Sequence, residues 1–166
     1  MIKKLSLKQI DAIIFDFDGV LTDNRVYIDQ NGREMVCCHR GDGLAFDVLR
    51  KKTIKLFILS TENNPVVSCR GKKLKVPVFQ GVNNKLKSIK ILLGKENINL
   101  EKVMFVGNDL NDYNVMKVCG IAVCPSDSHP RILDVASIVL ETKGGHGVVR
   151  EIVERVLGIN IIKELD

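Results

Sequence analysis

The stretch IIFDFDGVLTD, residues 13–23, joins an apolar run to two aspartates one residue apart, Asp16 and Asp18, followed at once by Gly19. Residues 12–17 are β-branched and aromatic and read as a buried strand. Carboxylates at the end of a core strand are costly unless something neutralises them there. Gly19 permits the sharp bend that would bring both acids to one point. The fold follows from what surrounds this stretch, and the function from what meets its two acids.

Further strand-length apolar runs occur at residues 54–59 and 103–106, with shorter ones at 121–123 and 138–140. Helical patterns fill the gaps at residues 43–51, 65–74, 85–97, 110–118, 129–135 and 148–157. Strands alternating with helices imply an α/β fold, a doubly wound parallel sheet covered on both faces. One piece interrupts the alternation. Residues 25–29 and 33–38 flank an Asn-Gly pair, the signature of a β-hairpin. This insertion, about residues 24–40, is too short to be a second domain, so the chain reads as one domain over residues 1–166 with no cap domain.

Composition narrows the function classes. Hydrophobic residues make up 45% of the 166, as in a globular chain, and no apolar run reaches the length of a membrane span. The start, MIKKLSLKQI, has no apolar stretch behind its lysines, so the expected compartment is the cytoplasm, with no membrane partner. The five cysteines are odd in number and form no C-x-x-C pair, as expected for reduced thiols. The net charge of +5 fits solvated helix faces or a small anionic ligand, and with aromatic residues at 5% there is little to stack on bases. No nucleic-acid partner is expected.

In an open parallel sheet, ligands bind beyond the carboxyl ends of the strands. The first strand ends on Asp16 and Asp18, the second on Ser60 and Thr61. The third ends on Gly107, Asn108 and Asp109, followed by Asn111 and Asp112, and Lys85 opens a helix after Gln80-Gly81. Acids, hydroxyls, an amide and a lysine on one edge suit a magnesium ion, which prefers oxygen ligands, and a phosphate, which takes N–H groups, a hydroxyl and a cation. Each residue also has an ordinary alternative: Ser60 and Thr61 as helix caps, Asn108 as a turn former, Asp109 and Asp112 as first-turn acids favoured by the helix dipole.

In this order and spacing the residues resemble the motifs of the haloacid dehalogenase (HAD) superfamily of phosphotransferases. DFDGVLTD is similar to its first motif, ILST to its second, Lys85 to its third and VGNDLND to its fourth. The hairpin, FQGVNNK and the ending KGGHGVVREIVERVLGIN resemble the small capless phosphatases of 3-deoxy-D-manno-octulosonate 8-phosphate (KDO 8-phosphate) and nonulosonate 9-phosphates. The resemblance implies Mg2+ as cofactor and a small phosphorylated sugar acid as substrate. It implies Asp16 as nucleophile, Asp18 as general acid and base, and Ser60 and Lys85 on the phosphoryl oxygens. The metal would be held by Asp16, the Asp18 carbonyl and Asn108, with Asp109 and Asp112 behind them. Gly19, Thr61, Glu62 and Lys73 would face the substrate. A homotetramer is also implied, its hairpins joined at the centre.

Two departures matter. Many relatives carry aspartate where this chain has Asn108, which brings no charge to the metal. KDO 8-phosphate phosphatases usually show Gly-Arg where this chain has Thr61-Glu62, which is closer to the nonulosonate branch. Asn108 also motivates a second class, a catalytically silent domain that assembles with a sialate cytidylyltransferase; intact Asp16, Asp18 and Lys85 oppose it.

Overall fold

A computed structural model describes residues 5–165; Met1–Lys4 and Asp166, the ends of the expected 1–166 domain, lie outside them. In chain order the elements are β1 (Ala12–Phe15), β2 (Thr22–Ile28), β3 (Glu34–Cys38), α1 (Gly41–Arg50), β4 (Lys55–Leu59), α2 (Val66–Leu74), β5 (Val78–Phe79), α3 (Lys85–Glu96), β6 (Val103–Val106), α4 (Tyr113–Met116), β7 (Ile121–Cys124), α5 (Pro130–Val135), β8 (Ile138–Val139), α6 (Val148–Glu151) and α7 (Ile161–Leu165). Six strands form one parallel sheet in the order β5-β4-β1-β6-β7-β8. The strand order reverses at β1, which places the end of that strand at the switch point of a doubly wound sheet.

Burial on both faces explains why β1 is continuously apolar. Ile13 and Phe15 join one core cluster with α1, α2 and α6, while Ala12 and Ile14 join the other with α3, α4 and α5. All four are fully buried, as is Phe17 just beyond. Phe15 also meets the Phe46 ring of α1 edge-on at 5.1 Å. Each large side chain so enclosed contributes roughly 1.5–3 kcal/mol relative to exposure.

The hairpin is present as β2 and β3, but its turn differs from the one Asn-Gly suggests. A two-residue type I′ turn needs φ > 0 at both central residues. Here Gly32 has φ +76°, while Asn31 is not left-handed. The turn spans residues 29–33 instead, with Asp29 Oδ1 accepting from the N–H of Asn31 (2.8 Å) and Arg33 (2.9 Å). β2 starts at Thr22, earlier than expected, and a bulge follows, with Asn24 at φ +62°. Two elements are absent from the sequence reading because they are short: β5, with two residues, and α7, with five. The helix expected over 110–118 divides into a 3-10 turn, Leu110–Asp112, and α4. The helix expected over 148–157 begins as α6 and widens to π winding over Ile152–Val156.

α6 opens on Gly147, which has no side chain to cap it. Asp42 of α1 does so from outside: its Oδ1 accepts the Arg150 N–H at 3.1 Å. The carboxylate is 2% exposed and its Oδ2 has no partner. Burial raises its pKa above the ordinary carboxylate value, against the lowering by the Arg150 N–H. An acid whose folded pKa is raised makes the fold most stable below the unfolded value, and stability falls as pH rises through the folded one. Asp42→Asn keeps an acceptor oxygen and removes the charge, so its melting temperature at pH 8 is expected to match or exceed that of the parent. Asp42→Ala loses the cap and about 1 kcal/mol. A thermal melt in which the Asn variant falls as far as the Ala variant contradicts this account.

Candidate active site

β1, β4 and β6 lie side by side in register, Phe15 opposite Ile58 and Val106. Asp16, Ser60 and Gly107-Asn108 therefore leave three neighbouring strands at one level, with strands about 4.8 Å apart. Asp16 stays anchored to the sheet by its own N–H, which donates to the Val106 carbonyl at 2.8 Å. The strand ends at Phe15, so Asp18 is set by the turn that follows. The Leu21 and Thr22 N–H groups both donate to the Phe17 carbonyl, at 2.9 and 3.1 Å. Gly19 has φ +77°, and a Cβ there would lie 1.9 Å from Asn108 Nδ2. Both the conformation and the close approach exclude a side chain. Thr22 Oγ1 accepts from the Gly19 and Asn24 N–H groups at 3.2 Å each, and its hydroxyl lies 3.4 Å from Asp18 Oδ1.

Lys85, at the first position of α3 and 2% exposed, reaches under the sheet edge. Its Nζ is 2.7 Å from Asp16 Oδ1 and 2.7 Å from Asp112 Oδ1. Asp112 is fully buried, and its Oδ2 accepts from the N–H groups of Asn108 (2.9 Å) and Asp109 (3.3 Å). One carboxylate thus fixes both the lysine and the loop that carries Asn108. Burial works against the Lys85 charge, but Asp16 and Asp112 outweigh it and raise the lysine's pKa. Asp16 is pushed up to about 8, first by burial and then by Asp112, with Lys85 pulling the other way. Lys85 thus brings a single positive charge between two buried acids, and a further positive charge beside Asp16 would oppose the rise in its pKa.

Asn108 shows where that charge fits. Its side-chain oxygen faces the Asp18 carbonyl at 2.8 Å and Asp16 Oδ2 at 3.3 Å, so three oxygens gather at one point. The amide turned over would donate to both oxygens. A hard cation among these oxygens satisfies the first orientation, and the donor set is the kind magnesium takes. Among the described residues no group of three His, Cys, Asp or Glu side chains is placed to hold a metal; an ion at this place would need the main-chain carbonyl and the amide to complete its ligands.

Asp18 is half-buried and its pKa is raised, first by burial and then by Glu62, with Glu34 adding to both and the Thr22 hydroxyl opposing. Ser60 is buried and its Oγ accepts the Glu62 N–H at 3.0 Å. Thr61 is exposed, 3.4 Å from Asn111 Nδ2. Glu62 Oε1 accepts from the N–H groups of Asn63 (2.6 Å) and Asn64 (2.8 Å), so one of its oxygens shapes its own loop. Asp109 is exposed and its Oδ1 accepts the Leu110 N–H at 2.7 Å, which makes it a cap for the following turn. Lys73 is set apart: it lines a cavity of about 470 Å3 with Cys38, Arg40, Asp47 and Arg70, between α1, α2 and the end of β3. Glu34 and Asn64 are absent from the sequence reading, yet Asn64 Nδ2 donates to Glu34 Oε2 at 3.1 Å and ties the hairpin to the Ser60 loop. All five cysteines are free.

Removing Lys85 would strand buried carboxylates, which costs about 3–5 kcal/mol when one partner of a buried pair is lost. Lys85→Met is expected to lose stability of that order in urea denaturation at pH 7 with a chelator present. The loss should shrink as acid protonates the stranded groups. An unchanged midpoint would show that the lysine does not hold the site together.

Comparison with known proteins places this geometry. A family model of haloacid dehalogenase-like hydrolases matches residues 44–152. The 3-deoxy-D-manno-octulosonate 8-phosphate phosphatase KdsC of Salmonella typhi is 34% identical over 151 residues, 90% of this chain and 80% of that protein. A crystal structure from Streptomyces avermitilis MA-4680, described as a HAD family hydrolase, is similar with a TM-score of 0.92 and 42% identity, over 96% of this chain and 91% of that one. The 3-deoxy-D-manno-octulosonate 8-phosphate phosphatase of Moraxella catarrhalis, solved with a magnesium ion, a phosphate ion and a KDO molecule, matches with a TM-score of 0.87 and 28% identity, over 91% and 87% of the two chains.

Proposed function

This chain belongs to the haloacid dehalogenase-like hydrolases and is a phosphoric monoester hydrolase, and from that premise we propose that it removes phosphate from an eight- or nine-carbon keto-deoxy sugar acid. The observation that carries the proposal is the convergence of Asp16, Asp18, Ser60, Lys85 and Asn108 on one sheet edge, in a chain similar to KdsC over 90% of its length. Asp16 attacks phosphorus, forming an aspartyl phosphate as the bond to the sugar oxygen breaks. Asp18, whose pKa burial and then Glu62 raise, gives its proton to that leaving oxygen. Its carboxylate then takes a proton from the water that cleaves the aspartyl phosphate. Lys85 and the Ser60 hydroxyl stabilise the phosphoryl oxygens. A magnesium ion held by Asp16, the Asp18 carbonyl and Asn108 would neutralise the charge of phosphate and carboxylate as they approach. The Moraxella catarrhalis relative, solved with magnesium, phosphate and KDO together, supports that choice of ion.

Two candidate substrates remain in view. The curated relatives favour KDO 8-phosphate. Thr61-Glu62 favours a nonulosonate 9-phosphate, since Glu62 Oε2 takes none of the loop bonds and is available to a sugar hydroxyl. Lys73, with Arg40 and Arg70, offers a cationic wall for the sugar carboxylate. Phosphate release from both sugar phosphates, with and without Mg2+, tests the reading. Release should depend on Mg2+ and fall by about 10,000-fold or more in Asp16→Asn. Undiminished release from that variant would sink the mechanism.

An open site needs covering, and the hairpin supplies a surface for it. Val26, Tyr27, Ile28 and Met35 are large apolar residues exposed by 51–67% on β2 and β3. Large apolar side chains exposed on both faces of the hairpin are characteristic of an interface, which supports assembly into a homotetramer through the hairpins. Sedimentation equilibrium is expected to give the mass of four chains, and Ile28→Glu to give smaller species. A parent protein that sediments as single chains rules the assembly out.

A further inference from the structure

The loop KGGHG, residues 143–147, lies directly on the turn that carries Asp18. The Gly145 N–H donates to the Val20 carbonyl at 3.0 Å. A Cβ on Gly144 would stand 2.2 Å from the Gly19 carbonyl oxygen. One on Gly145, at φ +68°, would stand 2.3 Å from the Asp23 nitrogen and 2.4 Å from the Thr22 carbonyl carbon. Backbone thus packs on backbone along the whole turn from Gly19 to Asp23, a contact only glycine allows.

The loop is itself held from two sides. Asp127 Oδ1 accepts the Gly144 N–H at 2.9 Å. Glu151 of α6, 6% exposed, accepts the N–H groups of Glu141 (3.0 Å) and Thr142 (2.8 Å), one on each carboxylate oxygen. Arg155 Nη1 donates to Glu151 Oε1 at 3.0 Å and keeps the buried charge paired. Arg155 sits in the π-wound stretch that follows α6, where the helix changes pitch immediately after Glu151. A wide turn inside a helix is a costly feature that tends to occur at functional positions.

We propose that Gly144 and Gly145 form a backbone clamp on the Gly19–Asp23 turn, with Asp127 and Glu151 as the positioning residues that set it. The clamp fixes the Asp18 side chain and the Asp18 carbonyl oxygen against Asn108. The inference rests on the reading of Asp18 as acid and base and of its carbonyl as a metal oxygen. Groups that orient such ligands commonly govern about 10- to 100-fold in metal affinity or activity.

The test uses Asp127→Ala, Glu151→Ala and Glu151→Gln in the full chain, with Gly94→Ala as a control, since nothing lies within 4 Å of a Cβ there. Calorimetric Mg2+ binding without substrate is expected to weaken about 10- to 100-fold in the two alanine variants. Their kcat should fall to match, while KM for the sugar phosphate stays within about twofold. Glu151→Gln retains one acceptor oxygen and should recover part of both losses. Mg2+ affinity equal to the parent's in Asp127→Ala and Glu151→Ala overturns the clamp, whatever kcat does. Asp127 is exposed, so its variant decides alone if Glu151→Ala does not fold. If the parent releases phosphate from no sugar phosphate, the functional reading fails, and the calorimetry still decides the clamp.

Discussion

The site depends on one buried contact, Lys85 held between Asp16 and Asp112. Two carboxylates and one ammonium share an almost wholly buried space. Coulomb attraction is strong there, but so is the cost of any charge left over. Lys85 brings one positive charge to two acids, at 2.7 Å from each. Two ionised acids would be left one positive charge short. A cation in the proposed site would make up that charge before any substrate arrives. A phosphate dianion only deepens the deficit, so cation and substrate are complementary demands on one place.

That contact in turn constrains the backbone. Asp112 can face Lys85 only if the chain after β6 folds back, and the 3-10 turn Leu110–Asp112 with its Asp109 cap makes that return. Gly107 gives way on the inside of the loop, where a Cβ would meet Asp112 Cγ at 2.6 Å. The regular helix suggested over residues 110–118 is incompatible with this path. The tight turn and the shortened α4 bring the Asp112 carboxylate back toward the Asn108 N–H.

How legible was this from the sequence? The sheet, its helices and the residues at three strand ends could be read, because each depends on local pattern: apolar runs, then polar residues at their carboxyl ends. Asp16, Asp18, Ser60, Lys85, Asn108 and Asp112 all stand where that pattern put them. Partnerships across long separations could not be read. Asp42 caps a helix that begins more than a hundred residues later, and Asn64 reaches back to Glu34 on the hairpin. Nothing in the local composition marks either pair. Asp109 and Lys73 illustrate the opposite limit. Their types suited a role beside the metal or substrate, but the sequence could not show that Asp109 also caps its own turn or that Lys73 lines a cavity between α1 and α2.

Asn108 is where sequence and structure inform each other most. An aspartate at this place would add a third buried carboxylate beside Asp16 and Asp112, with Lys85 already committed. The amide avoids that repulsion. It also has two useful faces: its oxygen can join Asp16 and the Asp18 carbonyl around a cation, or its nitrogen can donate to both when no cation is there. The same side chain then satisfies the site in either state, whereas a carboxylate would satisfy only the metal-bound one. The exchange is affinity for tolerance. In the proposed site a neutral ligand would hold an ion less tightly, and the fold would lose less when the ion left. Whatever holds the Asp18 carbonyl in place then matters more, since geometry must supply what the missing charge does not.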